Sequence, residues 1–313
     1  WRATTSTWWE VSGMGNLLFA GMYRLKYSKL FYILLGLLVV TLTFCYVQAI
    51  PQTVSLDVSP TEAVTQEEGY VTVGYEEQAS FYPLNFLFFQ YVLLNLISCG
   101  VFCPLFLSHE YSDGVLRNKL IVGRNRTQIY LGNLTVNGLY GATATVLGIL
   151  TGLCVGMPML KGFGETEPST LVMYGLFSLI TTWACVSLFT MAAMIVANRA
   201  VAVALCIVLA FGLYFLGQFL TIGLSQPELL QGGLIWRPDG TFQMADPAPN
   251  PSYISGFKRQ VYQFLYELTP GGQCFQIANM GAETPWHLPV YACLFTALTT
   301  GIGLAIFQRK DVK

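Results

Sequence analysis

Acidic and basic residues are missing where they would be costliest. Not one Asp, Glu, Lys or Arg falls within six long apolar runs, at 30–50, 84–107, 129–160, 171–197, 200–224 and 286–307. A bilayer core of about 30 Å takes about 20 helical residues to cross, and every run reaches that length. Charged residues make up only 11% of the chain against 54% apolar, with mean hydropathy +0.53. That is less than half the ~25% charge of ordinary soluble domains, whose surface this chain has no means to build.

Further absences narrow the chemistry. No Gly is followed by Lys, so the phosphate-cradling G-x-x-x-x-G-K-S/T loop is missing and any such hydrolysis of nucleotide belongs to another polypeptide. The runs hold no acid or base to carry a proton or sodium ion, which counts against an ion-coupled carrier and an intramembrane hydrolase. His287 sits at the edge of the last run, an interfacial rather than a catalytic place. Seven of the eight cysteines (Cys45, Cys99, Cys103, Cys154, Cys185, Cys206 and Cys293) lie inside runs, and only Cys274 lies in a loop. A disulfide framework is therefore not expected. Cys99 and Cys103 are one helical turn apart, but no His or carboxylate accompanies them, so they read as buried small side chains and no metal site is expected.

What charge there is follows the loops. Residues 1–29 carry Arg2, Arg24, Lys26 and Lys29 against Glu10, while 51–83 carry six acids and no base. Segment 108–128 holds Arg117, Lys119, Arg124 and Arg126 against Glu110 and Asp113. Counting alternate segments from the N-terminus puts twelve Lys and Arg on one side and four on the other. The positive-inside rule then makes both termini cytoplasmic and turns 51–83 and 225–285 outward. The first run is a full span, and no cleavable signal peptide is read before it. Residues 1–13 read as a disordered extension ahead of a possible start at Met14, whose Met-Gly opening lacks the Ser or Thr of a myristoylation site.

The expected architecture is an all-α polytopic membrane protein, a single permease-like domain over 14–313. Leu17, Leu18, Met22 and Leu25 recur at helical spacing before the first run and predict an interfacial elbow helix. Alternation at Val54/Leu56/Val58 and Val71/Val73/Tyr75 predicts a small extracellular β-hairpin. Arg237-Pro238-Asp239-Gly240 reads as a tight turn. Ile254, Phe257, Val261, Phe264 and Leu268 form the stripe of an extracellular amphipathic helix before the sixth span, ended by Thr269-Pro270-Gly271-Gly272. Gly148, Gly152 and Gly156 form a small-residue face for close helix packing. The sequons at Asn125 and Asn133 fall in a cytoplasmic loop and inside a span, so both read as chance matches.

Segment 108–128 is the informative one. Asp113 can cap a short helix whose Leu116 and Leu120 share a face, and Gly123 can end it. Such a helix offers an apolar knob rimmed by charge to a groove on a soluble partner. The order Glu110, Gly114, Arg117 and Arg124 before the third run resembles the intracellular loop of ABC exporter permeases of the type-2 class. The resemblance runs over nearly the whole chain from Met14, through the elbow helix, the six runs, the helix before the sixth and the ending at 307–311.

That family resemblance implies a permease subunit, not itself an enzyme, paired with a second identical or different permease and with separate cytoplasmic ABC ATPase subunits. ATP and Mg would be bound by those partners and no cofactor by this chain. It implies coupling to the ATPase through Glu110, Asp113, Gly114, Leu116, Arg117, Leu120 and Arg124. It also implies a path lined by the second and fifth spans, with Gln90, Asn95, Tyr214 and Gln218 as its polar groups. An apolar path suits an amphipathic, peptide, lipid-like or drug-like cargo, exported across a plasma membrane, with a bacterium as the expected source. Membrane lipid is the other expected partner, and nucleic acid is not one. The competing reading is a non-transporting receptor or sensor that docks a signalling protein inside the cell.

Overall fold

The computed structural model describes residues 5–54, 83–112, 114–160, 162–163, 166–196, 198–230, 234–236, 242–244 and 247–310. Helix α1 (Thr5–Lys26) is followed by α2 (Lys29–Val54), then by the short α3 (Pro83–Leu87), a 3-10 turn at Phe88–Gln90, and α4 (Tyr91–Ser112). After α5 (Val115–Ile121), α6 (Arg126–Thr151) continues through a π-helical turn at Gly152–Gly156 into the one-turn α7 (Met157–Met159). Helices α8 (Pro168–Ile195) and α9 (Arg199–Leu224) precede two tiny antiparallel pairs. In one, β1 (Leu229–Leu230) pairs with β4 (Ala248–Pro249); in the other, β2 (Leu234–Trp236) pairs with β3 (Phe242–Met244), and the predicted tight turn at 237–240 lies outside the described residues. Helices α10 (Gly256–Leu268), α11 (Pro270–Ala278) and α12 (His287–Arg309) close the chain.

Among the described residues, six helices are long and apolar enough to cross a membrane: Lys29–Ala49, Leu84–Glu110, Arg126–Met159, Pro168–Ile195, Arg199–Leu224 and His287–Arg309. The protein is an all-α polytopic membrane protein. Helices α4 and α8 are the central pair, and α2, α9 and α12 are peripheral and expose much of their apolar surface. Helix α4 packs on α6, α8 and α9, while α12 packs chiefly on α8.

In lipid an unbonded polar group is costly, and hydrogen bonds between helices run through the interior. Asn95 Nδ2 donates to Thr145 Oγ1 at 3.0 Å and Thr182 Oγ1 at 3.2 Å, tying α4 to α6 and α8. Tyr91 and Ser178 hydroxyls share a 2.8 Å bond, Asn137 Nδ2 donates to Thr190 Oγ1 at 2.9 Å, and Ser187 meets Thr299 at 2.7 Å. The three glycines at 148, 152 and 156 do not receive another helix backbone. A Cβ on each would sit 2.5 Å from the Tyr91 ring, 2.6 Å from Phe88 and 2.9 Å from Leu84, with the Tyr46 ring beside the last two. Side chains from α2, α3, α4 and the 3-10 turn fill the notches.

Several expectations need correction. Helix α1 begins at Thr5, so most of the stretch read as a disordered extension is helical; no proline interrupts it. The predicted hairpin at 51–83 lies outside the described residues except at its edges, where Val54 is still helical. Thr269-Pro270-Gly271-Gly272 does end α10, but it also starts another helix. Thr269 Oγ1 accepts from Gly272 N at 3.3 Å, Pro270 takes the first helical position, and α11 is buried along its whole length against α4, α8 and α9. Glycine is obligatory there. A Cβ on Gly271 would lie 2.1 Å from Leu213 O, and one on Gly272 2.2 Å from Tyr266 O. On α10 the apolar stripe faces away from the bundle, with Phe257 79% and Phe264 51% exposed, because Tyr262, Gln263, Tyr266 and Glu267 occupy the inner side.

Candidate functional site

At one end of the bundle the chain turns from α4 through α5 into α6. Ser108–Ser112, read as loop, is the last turn of α4, and it carries Glu110 inward. Glu110 is 3% exposed, the only fully buried acid or base among the described residues. Its Oε1 accepts from Arg24 Nη1 at 2.8 Å and from Lys119 Nζ at 2.6 Å. Its Oε2 accepts from Asn133 Nδ2 at 2.9 Å. One carboxylate therefore joins α1, α4, α5 and α6. Burying a charge is costly unless it is paired and hydrogen-bonded, and both oxygens here are satisfied by charged or amide donors.

Arg24 is held from two further sides. Its Nη2 donates to Phe106 O at 3.1 Å, and the guanidinium lies 3.8 Å over the Phe106 ring. That stacking suits a planar, weakly hydrated cation. Helix α1 is seated by small residues as well: Gly21 lies against Val136 and Gly132 beside Leu17 of α1. Leu25 is buried there, whereas Met22 of the predicted stripe is half-exposed.

Helix α5 is short and sharply bounded. Gly114 precedes it at φ 66° and Gly123 follows at φ 85°, both in the left-handed region that favours glycine. Gly114, not Asp113, stands at its N-cap, and Asp113 lies outside the described residues. The expected knob also needs correction. Leu116 is buried and Leu120 half-buried against the bundle, so that face anchors α5. The outward apolar pair is Ile121 and Val122, each 75% exposed, with Arg117 exposed on α5 and Arg124 half-buried just past the turn.

Around this end, basic groups fasten helix termini, where carbonyls lack helical partners. Arg126 Nη1 donates to Phe307 O at 3.0 Å and also to Lys310 O. Lys310 Nζ donates to Met194 O at 3.0 Å, and burial lowers the Lys310 pKa from its ordinary value. Asn198 Oδ1 caps α9 by accepting from Ala200 N at 2.9 Å.

The four expected pathway groups each make separate contacts. Asn95 is buried with its amide spent inside the bundle, and its Oδ1 receives the Cys99 thiol. Gln90 Nε2 donates to Phe86 O at 2.9 Å in its own helical turn. Tyr214 is half-buried with its ring against Phe275, and Gln218 is half-buried on α9.

Arg24, Lys119 and Asn133 are the partners that sequence reading passed over as site residues. Asn133 carried a usable signal, being an amide inside an apolar run that also opens a sequon; its nitrogen is occupied by Glu110. No three His, Cys, Asp or Glu converge as a metal site among the described residues. All eight cysteines are free. Compared with protein-family models and with curated proteins, the chain matches none.

Proposed function

We propose that this chain is the membrane subunit of an ATP-driven exporter of the type-2 ABC class, moving an amphipathic cargo with energy from a separate ATPase. In this reading the Glu110 end is cytoplasmic, in keeping with its Arg and Lys. The supporting observation is the Glu110 clasp. A push on the exposed Ile121-Val122 tip is passed by Lys119 and Leu116 into α4, and through Arg24 and Asn133 into α1 and α6. A stiff lever with an apolar tip, fastened to three helices by one buried charge, suits transmission of movement from a soluble partner.

The test is a cell-membrane purification followed by ATPase assay in lipid vesicles. An ATPase chain should accompany the wild type and be lost from Ile121→Ser/Val122→Ser, which leaves the clasp untouched. Glu110→Gln should keep the partner but uncouple transport from hydrolysis. Transport that persists after removal of the ATPase would overturn the proposal, and a co-purifying signalling protein in its place would favour a receptor.

A further inference from the structure

A furrow of about 660 Å³ lies between α6 and α12, with α8 behind it. That volume falls within the range of about 300–1,000 Å³ usual for small-molecule sites. Leu134 of α6, Ile180 and Trp183 of α8, and Cys293, Ala297 and Thr300 of α12 line it, with no acid or base in its walls. All of them stand inside the spans.

Packing explains the gap. Helix α12 packs chiefly on α8 and much less on α6. The Trp183 ring, the largest side chain at hand, is held against α6, where a Cβ on Gly138 would collide with it.

Toward the Glu110 end the furrow is closed. Arg126 Nη1 donates to Phe307 O at 3.0 Å, Gln308 Nε2 donates to Thr127 Oγ1 at 3.1 Å, and Gly303 makes room for the Tyr130 hydroxyl. These contacts join α6 to α12 just past Thr300. Thr300 stands nine residues before the end of α12 at Arg309, about 13 Å along the helix at about 1.5 Å per residue. That is close to half of a hydrocarbon core of about 30 Å, so the dead end falls near the bilayer midplane. From there the walls run to Cys293, about two turns nearer the opposite surface.

The furrow offers little to a polar ligand. Thr296 Oγ1 donates to Ala292 O at 2.8 Å within its own helix, and Thr300 Oγ1 is buried. A transmembrane helix of a second copy would need a track through both leaflets, which the closed end denies. A hydrocarbon chain hanging from one leaflet needs a track only to the midplane, and no hydrogen bond. We propose that the furrow seats one acyl chain of a phospholipid from the leaflet opposite Glu110, its methyl end against Leu134 and Thr300. The site stands independently of any ATPase partner and of which leaflet is extracellular.

The test places the full chain in phosphatidylcholine vesicles holding a trace of phosphatidylcholine with a diazirine at the methyl end of one chain. Photo-adducts are then located by peptide mass spectrometry. Adducts are expected on Leu134 and Thr300 in excess over those on Val40 and Phe44, which are exposed on α2. The same lipid with its diazirine beside the headgroup should leave Leu134 and Thr300 unmarked. Ala297→Phe fills the furrow from an exposed position. It should cut the furrow adducts about tenfold, the effect of displacing two methylenes, and leave those on α2 unchanged. Equal marking of the furrow and α2 in the wild type would overturn the site, as would furrow marking unmoved by Ala297→Phe. Joining of two chains through Cys293 by a short bis-maleimide would also overturn it, since a second copy would then cover the furrow.

Discussion

At the scale of single residues, Glu110 is the most consequential side chain. Its removal leaves Arg24 and Lys119 beside a vacated, low-dielectric pocket, yet both reach solvent in part and can rehydrate. The loss expected for Glu110→Ala is therefore about 2 kcal/mol, the scale of a charged hydrogen bond, rather than that of a fully buried pair. It is measured as the fall in unfolding midpoint of the purified protein, and Glu110→Gln should lose less. Cys274 gives a second residue-level expectation. A hydrogen bond with Cys185 and burial push its thiol above the ordinary cysteine value. Because the thiolate is the nucleophile, Cys274 should resist maleimide until the protein unfolds. Cys154 and Cys293 are exposed and should label first with a lipid-soluble reagent, as mass spectrometry of the peptides would show.

Lys310 supplies a pH dependence whose sign is fixed by its burial. Its folded pKa lies below the ordinary 10.5, so between the two values the unfolded chain binds more protons than the folded one. Stability attributable to Lys310 therefore rises with pH through that window. The unfolding midpoint of wild type relative to Lys310→Met should climb over that alkaline range; a flat difference would contradict this assignment.

At the scale of elements, α11 is where glycine substitution should be most damaging. Gly271→Ala sets a methyl against the backbone carbonyl of Leu213, which has no rotamer to turn away, and Gly272→Ala does the same at Tyr266. Overpacking of this kind costs about 3 kcal/mol or more, and thermal unfolding of the purified variants would measure it. Gly212→Ala on the open face of α9 has nothing within 4 Å and should be neutral or slightly stabilising. The two arms together separate crowding from a general effect of glycine on helices.

The same elements show what was legible in the sequence. Spans could be read because an apolar run in lipid carries its own answer in length and missing charge. Helix α11 could not, because its nine residues look like a turn-rich loop: Pro and two Gly first, then two glutamines. Its burial depends on Leu213 and Tyr266 carbonyls and on Gln273 and Gln276 finding partners in α10. The Leu213 carbonyl is distant in the chain, and the α10 partners, though near, leave no periodic signature. In the site, the sequence singled out Glu110 and the short α5 and misjudged which face of α5 turns outward. Leu116 and Ile121 are equally apolar, and only the packing of α5 on α4 separates them.

At the scale of the whole molecule, the peripheral helices carry a broad apolar exterior. On α9 it comprises Val201, Leu205, Val208, Phe211, Phe215, Phe219 and Ile222, and on α2 Ile33, Leu37, Val40 and Phe44. Lipid or a second subunit must cover such surfaces, as the proposed paired assembly would in part. The interior by contrast is cross-linked by amide and hydroxyl pairs at successive levels from Tyr91–Ser178 to Glu110–Asn133. A relative rotation of α4, α6 and α8 would break several at once. Movement is thus expected of the bundle as a body with α1 and α5 attached, and disulfide trapping between α4 and α8 should leave coupling intact.

The buried position of α11 also dictates an order of assembly. Its resting place is walled by α4, α8 and α9, all made before it, and its side-chain amides are held by carbonyls of α10, made just ahead of it. During synthesis the bundle must stay unsealed at that end until roughly residue 280 has emerged, and α12 then closes against α8. A nascent chain cut short before α11 should keep its first five spans and still leave Cys185 open to labelling. A short wedge made late thus locks together the second, fourth and fifth spans made before it.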